Sequence, residues 1–178
     1  MIEIWKGEPR FSACAGSGGN GGKDGLRKSG VSDRGARVKR LNITTHRRTE
    51  LLNITREVEA ALEELFREHP SLPREGLCYL WVPHTTAALA VNEGADPDVA
   101  QDISEQLSRL FPQFGPYHHV EGNADAHVKS VLVGPFLLLP VTEGHLSLGR
   151  WQSVFFCEFD GPRRREVGVS FLPASITP

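Results

Sequence analysis

The stretch Leu77-Cys78-Tyr79-Leu80-Trp81-Val82, closed by Pro83, decides how this chain is read. A short uninterrupted apolar run between the loop Ser71–Gly76 and a proline reads as a central, buried strand. Upstream, Val58, Leu62, Leu65 and Phe66 fall on one face of a helix. Thr55 is its expected N-cap, Glu57 and Glu59 lie in its first turn, and His69-Pro70 ends it. Before that helix, Leu41, Ile43 and Thr45 alternate with polar residues as in a half-buried strand, and Glu50–Ile54 reads as a second.

Downstream, Ala87–Val91 reads as another strand, followed by the clearest helix start in the chain. Asp96 caps it, Pro97 takes the first helical position and Asp98 favours the positive end of the dipole. Val99, Ile103, Leu107 and Leu110 form the stripe expected to be buried. Phe111–Gly122 reads as a loop, and periodicity leaves Ala124–Val133 open between a short helix and a buried strand. Phe136–Val141, Leu146–Leu148, Gln152–Phe159 and Val167–Phe171 are four further strands joined by turns. Seven or eight strands with two or three helices, outside regular βαβ alternation, predict one α+β domain over 37–178. Its sheet is expected to be mainly antiparallel, as an open sheet or a sandwich. Residues 1–36 hold half of the chain's 18 glycines and no apolar periodicity, so they are expected to be a disordered extension.

A net charge of −2 and a pI near 6.4 give no general attraction to nucleic acid or to anionic membranes, and neither partner is predicted. Apolar runs such as Phe136–Leu139 are too short to span a bilayer. The first 36 residues carry no signal-peptide core. Cys14, Cys78 and Cys157 show no paired spacing, and the last two lie in apolar runs, so a cytoplasmic protein with buried free thiols is expected.

Three polar clusters interrupt this apolar text. The first is His84-Thr85-Thr86, where a strand meets a loop, with Asn92, Glu93, Asp96, Asp98 and Asp102 following. Capping is one reading of Asp96 and Asp98 and explains Asp98 better than ligation does, whereas Glu93 has no such structural duty. The second runs from His118-His119 through Glu121-Gly122-Asn123-Ala124-Asp125-Ala126-His127. Imidazoles and carboxylates so close together suit a metal or a proton relay, although the spacing matches no zinc motif. The third is Gly149-Arg150-Trp151-Gln152, then Glu158 and Asp160-Gly161-Pro162-Arg163-Arg164-Arg165. Its arginines suit a bidentate phosphate clamp or a solvated strand start equally well, and Trp151 suits either a core position or stacking on a flat ring. The chain contains no P-loop, GxGxxG or GxSxG motif.

These segments resemble the YjbQ-like family, the secondary thiamine-phosphate synthases. His84-Thr85-Thr86-Ala87-Ala88 with Asn92-Glu93 and Asp96-Pro97 is similar to its first signature, and His119–Ser130 to its second. Leu148-Gly149-Arg150-Trp151-Gln152 running into Phe156–Arg163 is similar to its third, so the resemblance covers roughly 38–173. Arg150 stands where the family usually has threonine. The resemblance implies a homotrimer that joins an aminopyrimidine diphosphate to a thiazole phosphate, with sites near subunit boundaries. The implied catalytic residues are His84, Glu93, Asp96 and His127, with Asp102 and Glu158 as further members. A divalent metal ion, zinc or magnesium, is implied at His84, His119 and His127, His119 being preferred to His118. For the phosphorylated small-molecule substrate, the expected contacts are Thr85, Asn92, Lys129, Trp151, Arg163 and Arg164. The alternative is a metal- or ligand-binding protein whose synthase activity is incidental.

Overall fold

The computed structural model describes residues 38–174. The expected extension, residues 1–36, lies outside the described residues, as does Cys14. Eight strands and three helices follow one another as β1 (Val38–Thr44), β2 (Glu50–Asn53), α1 (Thr55–Glu68), β3 (Gly76–Trp81), β4 (Ala87–Glu93), α2 (Pro97–Leu110), α3 (Ala124–Val133), β5 (Phe136–Thr142), β6 (His145–Leu146), β7 (Gln152–Glu158) and β8 (Arg164–Pro173). A five-stranded sheet has the order β1-β8-β3-β5-β6, and a three-stranded sheet has the order β2-β7-β4. Every strand pairing is antiparallel, so the α+β reading holds and β3 is the central strand of the larger sheet.

The core follows from side-chain alternation. Val167, Val169 and Phe171 of β8 and Cys78 and Leu80 of β3 point inward, towards Val58, Leu62, Leu65 and Phe66 of α1. Leu89 of β4 and Val154 and Phe156 of β7 join the same cluster from the smaller sheet. The other face of that smaller sheet buries Ala88, Phe155 and Cys157 with Phe159 and Ala126. Burial pushes the Cys78 and Cys157 thiols up to about 12.

Two expectations change and one open alternative is resolved. Thr55 is the first helical residue of α1 and not its cap: Asn53 Oδ1 takes the Thr55 N–H at 3.1 Å, which frees the Thr55 hydroxyl to accept from Val154 N at 2.9 Å. Segment 124–133 is a helix. The stripe of α2 is not buried: no residue of this helix is, and Leu110 is 69% exposed. The helix start is as read, with Asp96 Oδ1 accepting from Asp98 N at 2.9 Å. Only Ala100 and Leu107 of α2 pack against the small sheet's cluster, because that sheet is three strands wide and α3 already covers part of it.

Candidate functional site

β3 ends at Trp81, whose partner on β8 is Gly168, but β8 extends four residues further to Arg164. The Glu166 N–H therefore meets no strand carbonyl on the β3 side, and the His84 side chain fills the position. Its Nε2 accepts from Glu166 N at 2.8 Å. A neutral imidazole that accepts at Nε2 carries its proton on Nδ1. Burial, and then the positive charge of Arg165, hold the His84 pKa below the usual imidazole value against smaller opposing effects of Glu158 and Glu166. His84 is thus a neutral group presenting an Nδ1–H donor.

Beside it opens a cavity of about 600 Å³, walled by Val82, Pro83, Val131 and Pro135, with His84, Thr85, His127 and Ser130 as its polar groups. The rings of His119 and His127 meet edge to face, centroids 5.3 Å apart, and His119 Nε2 lies 3.6 Å from Glu121 Oε2. His84 and His127 therefore share one cavity and His119 reaches it through His127, while His118 and His119 are both exposed. Three histidines distant in sequence come to one end of the domain.

Behind the cavity lies a buried polar layer. Glu158 is fully buried and accepts from Arg165 Nε at 2.7 Å and Nη2 at 2.6 Å, from Asp160 N at 2.9 Å and from Thr45 Oγ1 at 3.2 Å. Arg165 Nη2 also donates to Thr86 Oγ1 at 2.8 Å. Asp125, at 0% exposure, accepts from Lys129 Nζ at 2.8 Å and from Arg48 at 2.9 and 3.0 Å. Burial alone would raise the Asp125 pKa, but the hydrogen bonds from Arg48 and Lys129 outweigh it and hold the carboxyl below its ordinary value. Asp160 accepts from Arg163 Nη2 at 2.6 Å and from Asn123 Nδ2 at 3.0 Å. The Asn123 Oδ1 is buried without a partner.

This layer alters the expected phosphate clamp. Lys129 is 1% exposed and committed to Asp125, Arg163 pairs with Asp160, and Arg164 is exposed. The run Arg163-Arg164-Arg165 is divided because alternate strand residues face opposite sides, so Arg165 turns inward. Sequence reasoning missed Arg48, Asp125 and Arg165 as members of this layer. Two signals pointed to the last two, the helical i,i+4 spacing of Asp125 and Lys129 and the in-phase series Arg165, Val167, Val169, Phe171, and none pointed to Arg48.

Asn92, Glu93, Asp96 and Trp151 lie elsewhere. β4 pairs antiparallel with β7, Ala87 opposite Glu158 and Glu93 opposite Gln152. Six residue steps along β4 separate Glu93 from the His84 end by roughly 20 Å. The same pairing divides the third segment, leaving Trp151, 60% exposed, with its carbonyl accepting from Gly94 N at 2.9 Å. Asp102, on α2, is exposed. The expected single cluster is therefore two clusters within one chain. Among the described residues no three His, Cys, Asp or Glu side chains converge as a metal-ligand set. His84 Nε2 is already engaged. Among the described residues, the side chains of one chain do not by themselves bring the implied ligands together.

Residues 39–174 match the family model described as UPF0047 protein YjbQ-like. The chain belongs to this family. UPF0047 protein MJ1081 of Methanocaldococcus jannaschii is 45% identical over 130 residues, 73% of this chain and 90% of its own length. UPF0047 protein YugU of Bacillus subtilis is 43% identical over 76% of this chain and 98% of its own. A solved YjbQ/UPF0047 structure from Clostridium acetobutylicum superposes with a TM-score of 0.70 at 39% identity, covering 75% of this chain and 99% of that one. Protein TT1486 of Thermus thermophilus superposes at 0.67 with 51% identity, covering 75% and 99%. The family match thus spans both clusters, and no helix among the described residues is long and apolar enough to cross a membrane.

Proposed function

We propose that this protein is a thiamine-phosphate synthase-like transferase, joining an aminopyrimidine diphosphate to a thiazole phosphate. The thiazole nitrogen attacks the exocyclic methylene carbon of the pyrimidine. The C–N bond forms as the C–O bond to diphosphate breaks, and diphosphate leaves with the electron pair. The observation that carries this reading is the cavity shared by His84 and His127, whose apolar walls suit a flat ring. The neutral His84 offers an Nδ1–H donor to a ring nitrogen or a phosphate oxygen. Arg164 is an exposed cation for the diphosphate, with Arg163, held at Asp160, beside it.

Glu93, Asp96, Asn92 and Trp151 would enter the same site from a neighbouring copy in a homotrimer. Support comes from the separation of the two clusters within one chain and from the exposed apolar side chains Leu110, Val131, Leu132 and Trp151. Mixing inactive His84→Ala and Glu93→Ala proteins tests this directly. A shared site regains part of the turnover on mixing, and two variants that stay inactive together refute it. Light scattering should give three times the 19.6 kDa of one chain.

The second reading is a metal- or ligand-binding protein with incidental synthase activity. It is favoured by the His119–His127 contact beside Glu121, which would need further ligands from another copy. Metal analysis of purified protein, followed by turnover with and without zinc or magnesium, separates the two. Either activity belongs in the cytoplasm, where the buried Cys78 and Cys157 stay reduced.

A further inference from the structure

We infer that Arg165, held by Glu158, is a positioning residue that fixes the corner His84-Thr85-Thr86 and presents His84 as a single tautomer. The inference rests on His84 being a site residue, as proposed above, but concerns a side chain that faces away from solvent.

The corner between β3 and β4 is short, and proline at 83 ends the ladder that would otherwise restrain it. Its restraint comes from β8 and the β7–β8 turn. The Arg165 guanidinium donates to Thr86 Oγ1 at 2.8 Å, and the next residue's N–H, that of Glu166, donates to His84 Nε2 at 2.8 Å. Phe159 N donates to the Thr86 carbonyl at 3.2 Å. Two adjacent residues of one strand thus grip the corner, one by side chain and one by main chain.

That grip is only as well placed as Arg165 itself. Glu158 fixes it through two parallel hydrogen bonds of 2.7 and 2.6 Å. Glu158 is in turn oriented by Phe159 N at 3.1 Å, Asp160 N at 2.9 Å and the Thr45 hydroxyl at 3.2 Å. Both partners are buried, 7% and 0% exposed, so water does not compete for these bonds. A lysine cannot reproduce the planar fork that reaches both Glu158 oxygens and Thr86 together.

The test uses the full chain and reads His84 by ¹⁵N NMR. In the wild type the His84 ring should show Nε2 as unprotonated and Nδ1 as protonated, in one tautomer. Thr86→Val removes one hydroxyl of nearly unchanged shape, and the paired variant Arg165→Met with Glu158→Gln removes the brace without leaving a buried charge. Both should keep a folded spectrum while His84 passes to an averaged pair of tautomers. Turnover in the proposed reaction should fall roughly a hundredfold, mainly in kcat, as for a misplaced site group. Arg165→Lys should recover folding but not the single tautomer. If the folded Thr86→Val and paired variants both keep wild-type tautomer signals, the positioning role is wrong. If the wild type turns over neither substrate, the proposed reaction fails while the tautomer result still decides the role of Arg165.

Discussion

Replacing Asp125 by asparagine should be among the most damaging single changes that keeps side-chain shape. Asp125 is fully buried and sits between Lys129, 1% exposed, and Arg48. The substitution leaves a buried ammonium facing a neutral amide. Removing one partner of a buried pair costs about 3–5 kcal/mol, because the remaining charge stays unsolvated. At about 3 °C per kcal/mol for a domain of this size, the thermal midpoint should fall by roughly 9–15 °C. Lys129→Met differs, because Asp125 keeps both Arg48 bonds and a methionine fills the stem's volume, so the loss should be about 1–2 kcal/mol. In the double variant the buried ammonium is gone and the Arg48 side chain, 29% exposed, can turn towards water. The double variant should therefore be more stable than Asp125→Asn alone. Thermal and urea unfolding at pH 7 measure all three. An Asp125→Asn midpoint within about 3 °C of wild type, or a double variant worse than the sum of the singles, would refute this account of the buried layer.

Three further outcomes are expected. The depressed His84 pKa adds stability that is present above the ordinary histidine value near 6.5 and lost as pH falls towards the lower folded value, because the unfolded chain binds the proton more readily; urea midpoints should decline between about pH 7 and 5, and this component should vanish in His84→Gln. Gly161→Ala would place a Cβ 2.3 Å from the Arg47 carbonyl oxygen and 2.9 Å from Thr45 Oγ1, forcing the β7–β8 turn off the preceding loop; a destabilisation of about 1–3 kcal/mol is expected, and an unchanged midpoint would contradict the close approach. Cys78 and Cys157, with thiols pushed up to about 12 by burial, should resist alkylation at pH 8 until denaturant is added, and rapid labelling of either in native protein would show that the core opens.

The histidines of the candidate site were legible because they stand at positions that elements do not need. His84 follows a strand-ending proline, and His119 and His127 flank a glycine- and alanine-rich segment, so their residue types answer to chemistry more than to packing. Lys129 was misread for the opposite reason. A lysine beside histidines looks like a substrate contact in one dimension, and only its burial against Asp125, one helical turn earlier, shows a structural duty. Leu110 and Val99 carry the periodicity of a buried stripe, but periodicity reports an apolar face and not what covers it.

By itself, the sequence determined the order of the elements and, apart from segment 124–133, their kinds: runs of period two and period 3.6, the proline at 83, and the Asp96-Pro97-Asp98 helix start are local properties of the backbone. Tertiary structure alone decided which polar residues meet. Sequence proximity placed His84 with Glu93, and antiparallel pairing of β4 with β7 put them at opposite ends of one strand. The extension of β8 beyond β3 gave His84 its hydrogen-bond partner, and the inward phase of Arg165 made a buried brace from what reads as a surface clamp. Register and strand length set these meetings, and both depend on contacts between segments far apart in the chain.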